Sequence, residues 1–373
     1  MNLLRLTAAW CLAMSLSAQP PSTQNALTGG PRVVHELIFI HDLAAGRLAF
    51  RPVDARPDAP IHVIETSPIA TPMPFHELIP SWNLDAAASD SWRIELRVGR
   101  AADDTWSAWF CFDGSTAITD EQPAHQPIWS DDWGRVETDY LLCTRPADRL
   151  QVRITTRAAD KPDAMPLRIA RFAVVVSNTS GDKALRARRR VEKPRRFDRA
   201  AFTRRLDVPF MTQHVESAEM QGNICSPTSV AMVMAFRGVR TTPTEIARRA
   251  YDPVHKIYGN WPRNVQAAFA LGVPGYVTRF SSWEEVEAHV AQGQPIIASI
   301  RDPDGRLEGT PYKTTLGHLL VICGFDDQGD VLVNDPAGRT EAEGRRTYRR
   351  DQFAQAWFDR GGVAYVLEAK RGE

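Results

Sequence analysis

The chain has 373 residues, 43% of them hydrophobic and 24% charged, and its 45 basic residues balance 45 acidic ones. This composition provides apolar material for about two domains and excludes a globally disordered chain. A formal net charge of zero argues against nucleic-acid binding through the charge of the whole protein, and five cysteines are too few for a disulfide scaffold.

Residues 1–18 have the features of a secretory signal peptide. Arg5 supplies positive charge, residues 6–16 are mainly apolar, and small residues precede residue 19. The alternative is a buried N-terminal helix. A signal peptide predicts an exported protein, periplasmic or extracellular. The sequence has no later run of about 18 apolar residues, so no transmembrane segment is predicted in the mature chain. Residues 19–32, rich in Pro, Ser, Thr and Gly, are predicted to be a flexible lead-in.

Strand-like segments separated by turn residues fill residues 33–180. Several of them alternate apolar and polar residues, which is the period of a half-buried strand. The candidate strands are residues 34–40, 61–64, 91–98, 107–112, 136–141, 149–154 and 167–176. Short strands at this spacing, with no long helix among them, predict an all-β sandwich or jelly-roll-like module. Residues 75–83 are predicted to be an unusual loop.

Tryptophans and cysteines of this module leave two questions open. The tryptophans are Trp82, Trp92, Trp106, Trp109, Trp129 and Trp133. Exposed rings would suit stacking on cell-envelope glycans, whereas large aromatic side chains more often fill a core. Cys111 and Cys143 fall at candidate strand positions and are compatible with one disulfide or with two buried thiols.

Residues 181–205 are strongly basic and are predicted to link the module to a second domain at residues 206–373. Between Lys183 and Arg205 there are eleven Lys or Arg residues, against Glu192 and Asp198. Such a run is typical of a solvated linker, and it is also able to attract an anionic envelope polymer or a lipid surface. A nucleic-acid partner is not predicted, because it disagrees with the secretory signal.

Helices precede strands in residues 206–373. An apolar run at 230–236, followed by Gly238, predicts a buried helix. Further helices are predicted after Thr242, from Trp261 and after Ser282, and strands at 276–280 and 295–300. Helices followed by a sheet predict an α+β domain.

Cys225 stands at the predicted start of the first of these helices. Unpaired backbone N–H groups and the helix dipole favour a thiolate there, and the thiolate is the form of cysteine that attacks. Cys323, in contrast, lies inside an apolar strand, where an inert buried thiol is expected. An inert thiol is the alternative for Cys225 as well.

His318 and Asp335 are the candidates for a base and for the group that orients it. His318 lies near the start of the strand at 315–325, Asp335 ends the next strand, and residues 326–330 form a hairpin turn between them. This hairpin would place the two side chains together, with one imidazole nitrogen on the carboxylate and the other facing Cys225. The alternatives are a strand histidine bonded to backbone and an aspartate that shapes the turn before Pro336.

Three segments resemble the C39-like family of papain-like cysteine peptidases, which are related to bacteriocin-processing peptidases. These are Cys-Ser-Pro-Thr-Ser at 225–229, Gly-His-Leu-Leu-Val-Ile-Cys-Gly-Phe at 317–325 and Val-Leu-Val-Asn-Asp-Pro-Ala at 331–337. The resemblance covers roughly residues 206–367 and implies a papain-like α+β fold. Family members commonly have Cys-Gly-Pro, whereas this chain has serine at position 226.

The resemblance also implies a role for each site residue. Cys225 would be the nucleophile, His318 the general base and Asp335 the group that orients the base. A glutamine upstream of the cysteine would help to bind the oxyanion. Gln213 matches that position best, and Gln221, which is closer to Cys225 in sequence, is its competitor.

The function predicted from the sequence is an exported cysteine peptidase that acts on a peptide or protein. No metal or other cofactor is predicted, because no group of His, Cys or acidic residues has the spacing of metal ligands. Two alternatives stay open. One is an amidase or acyl transferase that acts on cell-envelope peptides, and the other is a catalytically silent protein that binds the envelope or its glycans.

Overall fold

The computed structural model of the chain describes residues 33–53, 61–85, 91–114, 127–157, 168–181, 198–215 and 217–369. The predicted signal peptide and lead-in, and residues 182–197 of the predicted linker, lie outside these ranges. Two β-sheets organise the described residues. No helix within the described ranges is long and apolar enough to cross a lipid bilayer.

Ten antiparallel strands form the N-terminal sheet. They are β1 (Val34–Asp42), β2 (Phe50–Pro52), β3 (Ile61–Thr66), β4 (Ile69–Asp85), β5 (Ser91–Arg100), β6 (Thr105–Trp106), β7 (Phe110–Gly114), β8 (Gly134–Glu137), β9 (Tyr140–Arg157) and β10 (Arg168–Asn178). The main order is β1-β10-β4-β9-β3-β2; β5 pairs with β9, β6 and β7, and β8 pairs with β9. A 3-10 turn (Leu43–Ala45) follows β1.

The N-terminal sheet is curled, and its long strands make the curl possible. β4 has 17 residues and β9 has 18, and the register between them shifts twice. Apolar side chains from β4, β5, β9 and β10, including Leu78, Leu96, Val152 and Val174, share one buried core. Because these side chains come from strands of a single connected sheet, the sheet covers its own apolar face.

The loop predicted at residues 75–83 is wrong, because these residues belong to β4. This strand lies between β10 and β9. Its pairing with β9 ends at Leu78, whereas its pairing with β10 continues to Asp85. Pro80 therefore lies where β4 has a strand on one side only, and such an edge tolerates proline. The three prolines of β4 made its sequence unlike that of a strand, although β4 lies inside the sheet for part of its length.

Arginine side chains lie over the rings of Trp106, Trp109 and Trp133 on the N-terminal sheet. Trp82 and Trp133 are buried. The guanidinium carbon of Arg97 lies 4.6 Å from the centre of the Trp106 ring and 4.8 Å from that of Trp109. These ring faces therefore make cation–π contacts within the protein.

Cys111 and Cys143, for which a disulfide was one of two possibilities, are free thiols. Burial raises the pKa of each to about 12. They are therefore uncharged and unreactive near neutral pH.

The C-terminal sheet has six antiparallel strands and is surrounded by helices. The strands are β11 (Gly275–Arg279), β12 (Ile296–Asp302), β13 (Thr315–Phe325), β14 (Val331–Asn334), β15 (Arg345–Tyr348) and β16 (Val363–Leu367), in the order β11-β16-β12-β13-β14-β15. The helices are α1 (Arg199–Phe202), α2 (Cys225–Phe236), α3 (Pro243–Ala250), α4 (Trp261–Phe269), α5 (Trp283–Ala291), α6 (Glu341–Gly344) and α7 (Arg350–Trp357), with a 3-10 turn at Phe358–Arg360.

Helices cover both faces of the C-terminal sheet. Along β12 and β13, alternate residues face opposite ways, as expected for strands. Ile297 and Val321 pack with α2 in one core, whereas Ile296 and Leu320 pack in a second core with α5 and α7. Residues 226–234 of α2 are all buried. The helix α2 is therefore enclosed on all sides, in agreement with its largely apolar sequence.

The two sheets meet along residues 77–85 of β4. There the side-chain amide of Gln266, on α4, accepts from the Leu84 N–H and donates to the Leu84 carbonyl, both at 2.8 Å. The Ser81 hydroxyl accepts from the Val277 N–H of β11 at 3.1 Å. Side chains thus satisfy the backbone groups that a missing strand would have bonded.

A buried ion pair crosses the same seam. The carboxylate of Glu77, on β4, lies 2.8 Å from a guanidinium nitrogen of Arg279, on β11. A second pair joins Arg171, on β10, to Glu368 at 2.9 Å. These contacts fix how the N-terminal sheet sits on the C-terminal sheet, and hence which of its turns comes near the C-terminal cleft.

Candidate active site

Cys225 is the first residue of α2, and its side chain is partly exposed. The residues just before it form a turn in which Gly222 has a φ of 80°, a value that favours glycine. The Ser226 hydroxyl is fully buried and lies 3.0 Å from the hydroxyl of Tyr365 on β16. The serine at position 226 is accommodated because its side chain bonds into the core.

His318 and Asp335 come together through the pairing of β13 with β14. This pairing sets Val321 opposite Asn334, so His318 and the residue after Asn334 lie at the same end of the two strands. His318 Nε2 lies 2.7 Å from Asp335 Oδ1, and both side chains are buried. The other ring nitrogen, Nδ1, is then left for Cys225, which lines the same cavity as His318.

Four donors surround the carboxylate of Asp335. Besides His318, the backbone N–H of Ala337 bonds Oδ1 at 3.0 Å, and the hydroxyls of Tyr348 and Tyr312 bond Oδ2 at 2.8 and 3.3 Å. Burial raises the pKa of Asp335, but the positive charge and hydrogen bond of His318 and the remaining donors lower it further, so its pKa is below the usual value. The carboxylate is therefore charged at neutral pH.

The two tyrosines were not found from the sequence. Tyr312 lies on the segment between β12 and β13, and its ring packs edge-on against His318, with ring centres 4.9 Å apart. Tyr348 ends β15 and is completely buried. Neither stands in a motif, and a tyrosine at the end of a short strand is an ordinary core residue by pattern alone.

The environment of Cys225 and His318 favours a charged pair. Burial would raise the pKa of the Cys225 thiol, but the hydrogen bond and charge of His318, with the backbone N–H groups of Leu319 and Ser226, lower it below the usual value. Burial would also lower the pKa of His318, but the charge of Asp335 raises it above the usual value. These shifts favour a thiolate on Cys225 beside an imidazolium on His318. Cys323 differs, since burial raises its pKa to about 12.

The two candidate glutamines lie in different places. Gln213 is buried and lines a cavity of about 540 Å³ that Cys225 and His318 also line. Its backbone N–H donates to the Pro336 carbonyl at 2.9 Å, and its side-chain oxygen has no hydrogen-bond partner among the described residues. Gln221 is exposed on the turn before α2 and lines neither this cavity nor the next one described.

A second cavity, of about 890 Å³, lies on another side of Cys225. The two cavities share Cys225, Gly222 and Gly317, so the sulfur lies where they join. Residues 137–140, from the turn between β8 and β9 of the N-terminal sheet, also line the larger cavity. A chain laid across Cys225 would have space on both sides of the sulfur.

Two protein families match this chain. Residues 205–365 match the Peptidase_C39 like family, and residues 63–177 match the Peptidase C39 N-terminal domain. Comparison with curated proteins gives no match.

Two solved structures similar to the chain are peptidase domains. One is a double glycine motif protease from an AMS/PCAT transporter, in complex with the leader peptide; it is 18% identical and has a TM-score of 0.31, over 44% of this chain and 94% of that chain. The other is the peptidase domain of Streptococcus ComA, a bifunctional ABC transporter of a quorum sensing pathway; it is 16% identical and has a TM-score of 0.31, over 39% of this chain and 92% of that chain.

Proposed function

Because the C-terminal half of this chain, residues 205–365, belongs to the Peptidase_C39 like family, we propose that the protein is a cysteine peptidase that uses Cys225, His318 and Asp335. One observation carries the proposal. His318 is hydrogen-bonded to Asp335, and it lines one cavity together with Cys225, beside which a second cavity opens. A nucleophile, a base and an orienting group in this order define the chemistry of acyl transfer.

In the first half of the reaction, the Cys225 thiolate attacks the carbonyl carbon of the scissile peptide bond. The charge moves to the carbonyl oxygen, and the His318 imidazolium gives its proton to the leaving nitrogen as the carbon–nitrogen bond breaks. The products are a free amine and a thioester on Cys225. In the second half, the neutral His318 takes a proton from water, the hydroxide attacks the thioester, and the thiolate returns with release of the acid.

The oxyanion needs donors beside the sulfur. We assign this role to the backbone N–H of Cys225 and to the side-chain amide of Gln213. The position of Gln213 in the cavity of Cys225 and His318 supports this assignment over Gln221. Loss of one such donor commonly lowers kcat by roughly a hundred- to a thousandfold. Gln213→Glu, which removes the donor and keeps the shape, is the sharpest variant.

The proposal is tested with a pair of cysteine variants. Cys225→Ala should abolish cleavage of peptides and rapid labelling by iodoacetamide, whereas Cys323→Ala, which removes a deeply buried thiol, should retain both. Cleavage by Cys225→Ala protein, or wild-type protein whose Cys225 does not react, would refute the proposal. Muropeptides and an unfolded protein, offered side by side, would distinguish a peptidase from an amidase or acyl transferase with the same residues.

We also infer that the protein is exported and that its two halves are separate modules. The apolar segment at 1–18 supports export, and separate family matches to residues 63–177 and 205–365 support a β module at 33–180, a basic linker at 181–205 and a peptidase domain at 206–373. The mass of the protein recovered from outside the cytoplasm tests export: a chain that retains residue 1, or no exported chain, would contradict it.

A further inference from the structure

The turn at residues 137–140, between β8 and β9, belongs to the N-terminal sheet but lines the larger cavity beside Cys225. Thr138, at its tip, has a φ of 61°, which is uncommon for a β-branched residue. Such backbone persists only where the surroundings hold it, and it is concentrated at functional sites. The turn is therefore a defined wall of the cavity.

Contacts with α4 hold this turn in place. The Asp139 carboxylate accepts from the backbone N–H of Trp261 at 2.8 Å, and the rings of Tyr140 and Trp261 are stacked with centres 6.0 Å apart. Trp261 itself lines the cavity. The N-terminal sheet and the C-terminal helices thus form one continuous wall of the cavity. The rings of Tyr140 and Trp261 are part of this wall, and Cys225 lines the same cavity.

Two arginines carry positive charge into the same cavity. Arg301 is on β12, and Arg360 ends the 3-10 turn before β16. Their guanidinium groups are close enough for the charge of Arg360 to lower the pKa of Arg301, although burial lowers it more. Arg360 Nε is buried and has no hydrogen-bond partner among the described residues. A like-charged pair with an unused donor favours an anionic group between them.

The acidic side chains that line this cavity have other contacts. Glu137 pairs with Arg135, and Glu219 accepts from the hydroxyl of Tyr258 at 3.1 Å. The carboxylate of Asp139 accepts a hydrogen bond from the backbone N–H of Trp261. Lys256 adds a further positive charge to the lining.

We propose that this cavity is a substrate subsite built jointly by the two halves of the chain, and that it binds an acidic side chain of the peptide between Arg301 and Arg360. The peptide lies against Tyr140 and the 137–140 turn, so the N-terminal module takes part in substrate selection. This inference rests on the proposed peptidase function and names the substrate class. A carboxylate suits the pair, because guanidinium groups bond its two oxygens directionally.

Binding to Cys225→Ala protein tests the subsite without cleavage. Fluorescent peptides, amidated at the C-terminus so that only a side chain varies, carry Glu, Gln or Lys at each position in turn. At one position Glu should bind at least about tenfold more tightly than Gln, as expected for a hydrogen bond to a charged group. Equal binding of Glu and Gln peptides at every position would overturn the acidic subsite.

Two variants assign the preference to residues. Arg360→Gln should remove the preference for Glu, whereas Arg349→Gln, an arginine that is 62% exposed and paired with Asp351, should keep it. Thr138→Glu, which adds a carboxylate on the N-terminal turn, should weaken binding of the Glu peptide more than that of the Lys peptide. Retention of the Glu preference in both Arg360→Gln and Thr138→Glu would refute the proposal.

Failure of the subsite and failure of the peptidase function give different results. Iodoacetamide labelling of Cys225 in the wild-type protein reports the thiolate without any bound peptide. If labelling is rapid and peptides are cleaved without regard to acidic residues, only the subsite is refuted. If Cys225 is unreactive and no peptide is cleaved, the peptidase function is refuted, whatever the peptides bind.

Discussion

The carboxylate of Glu77 and the guanidinium group of Arg279 form an ion pair across the seam between the two sheets, with side chains 2% and 0% exposed. Burial raises the pKa of Glu77, and the charge and hydrogen bond of Arg279 oppose that increase. Each charge is tolerated in the interior because of the other.

Replacement of one partner should therefore lower the free energy of unfolding far more than replacement of both. Glu77→Gln should lower the free energy of unfolding by roughly 3–5 kcal/mol, because Arg279 is left as a buried, unpaired charge. Glu77→Leu combined with Arg279→Met should recover most of that loss. Denaturant unfolding measures both. Asp103→Asn serves as the control, because its exposed pair with Arg100 should contribute nothing measurable. A double variant as unstable as Glu77→Gln would contradict the pairing.

The hydroxyl of Tyr348, 2.8 Å from Asp335 Oδ2, helps to keep that carboxylate charged. In Tyr348→Phe the pKa of Asp335 should rise, so the imidazolium loses its counter-charge at a higher pH than in wild type. We expect kcat/KM at neutral pH to fall by about tenfold or more, as for the loss of a hydrogen bond to a charged group. The acidic limb of the pH profile should move to higher pH. Tyr276→Phe, on β11, should leave the profile unchanged; an unshifted profile in Tyr348→Phe would contradict the role of Tyr348.

Asp139 predicts a pH dependence of stability at the seam. Burial, opposed by the Trp261 N–H, raises the pKa of Asp139 to about 7 from an ordinary value of 3.8. The folded protein therefore holds a proton that the unfolded chain has released, and the contribution of Asp139 to stability falls as pH rises from about 4 to about 7. Asp139→Asn keeps an acceptor for Trp261 and should lose this slope. The comparison is the difference in unfolding midpoint between about pH 5 and about pH 8 in the two proteins. Equal slopes would show that Asp139 titrates normally.

Gln266 should matter through both ends of its amide. Gln266→Ala leaves the N–H and the carbonyl of Leu84 without partners and should cost roughly 1–3 kcal/mol. Gln266→Glu should cost more, because a carboxylate cannot donate to the Leu84 carbonyl. Hydrogen exchange at the Leu84 amide measures the local effect, and Gln292→Ala, at the end of α5, is the control. Unchanged exchange at Leu84 in Gln266→Ala would contradict this account.

Most elements of residues 225–335 could be predicted from the sequence, because their signals are local. Thr242 and Ser282 cap helices as predicted, and α2 begins at Cys225. The hairpin of β13 and β14 follows from a turn between two apolar runs. These features depend on neighbours in the sequence, so a pattern over ten residues or so reveals them.

The N-terminal half and the borders of the site could not be predicted in the same way. β4 contains prolines and polar residues because its partner strands change along its length. The alternation of apolar and polar residues does not indicate where such a change occurs. Tyr348 reaches Asp335 through the pairing of β15 with β14, and Tyr140 reaches the cavity by stacking on Trp261, which is far from it in the chain. The carboxylate donors and the wall of the larger cavity therefore emerge only from the fold.

The side-chain amide of Gln266 also bears on aggregation of the protein when the seam between the two sheets opens. Beyond Leu78, one side of β4 pairs with none of the described strands. If the seam opened, that side would offer unpaired N–H and carbonyl groups to any extended chain nearby. By bonding the backbone of Leu84, the side chain of Gln266 thus opposes edge-to-edge association of the protein with other copies of itself.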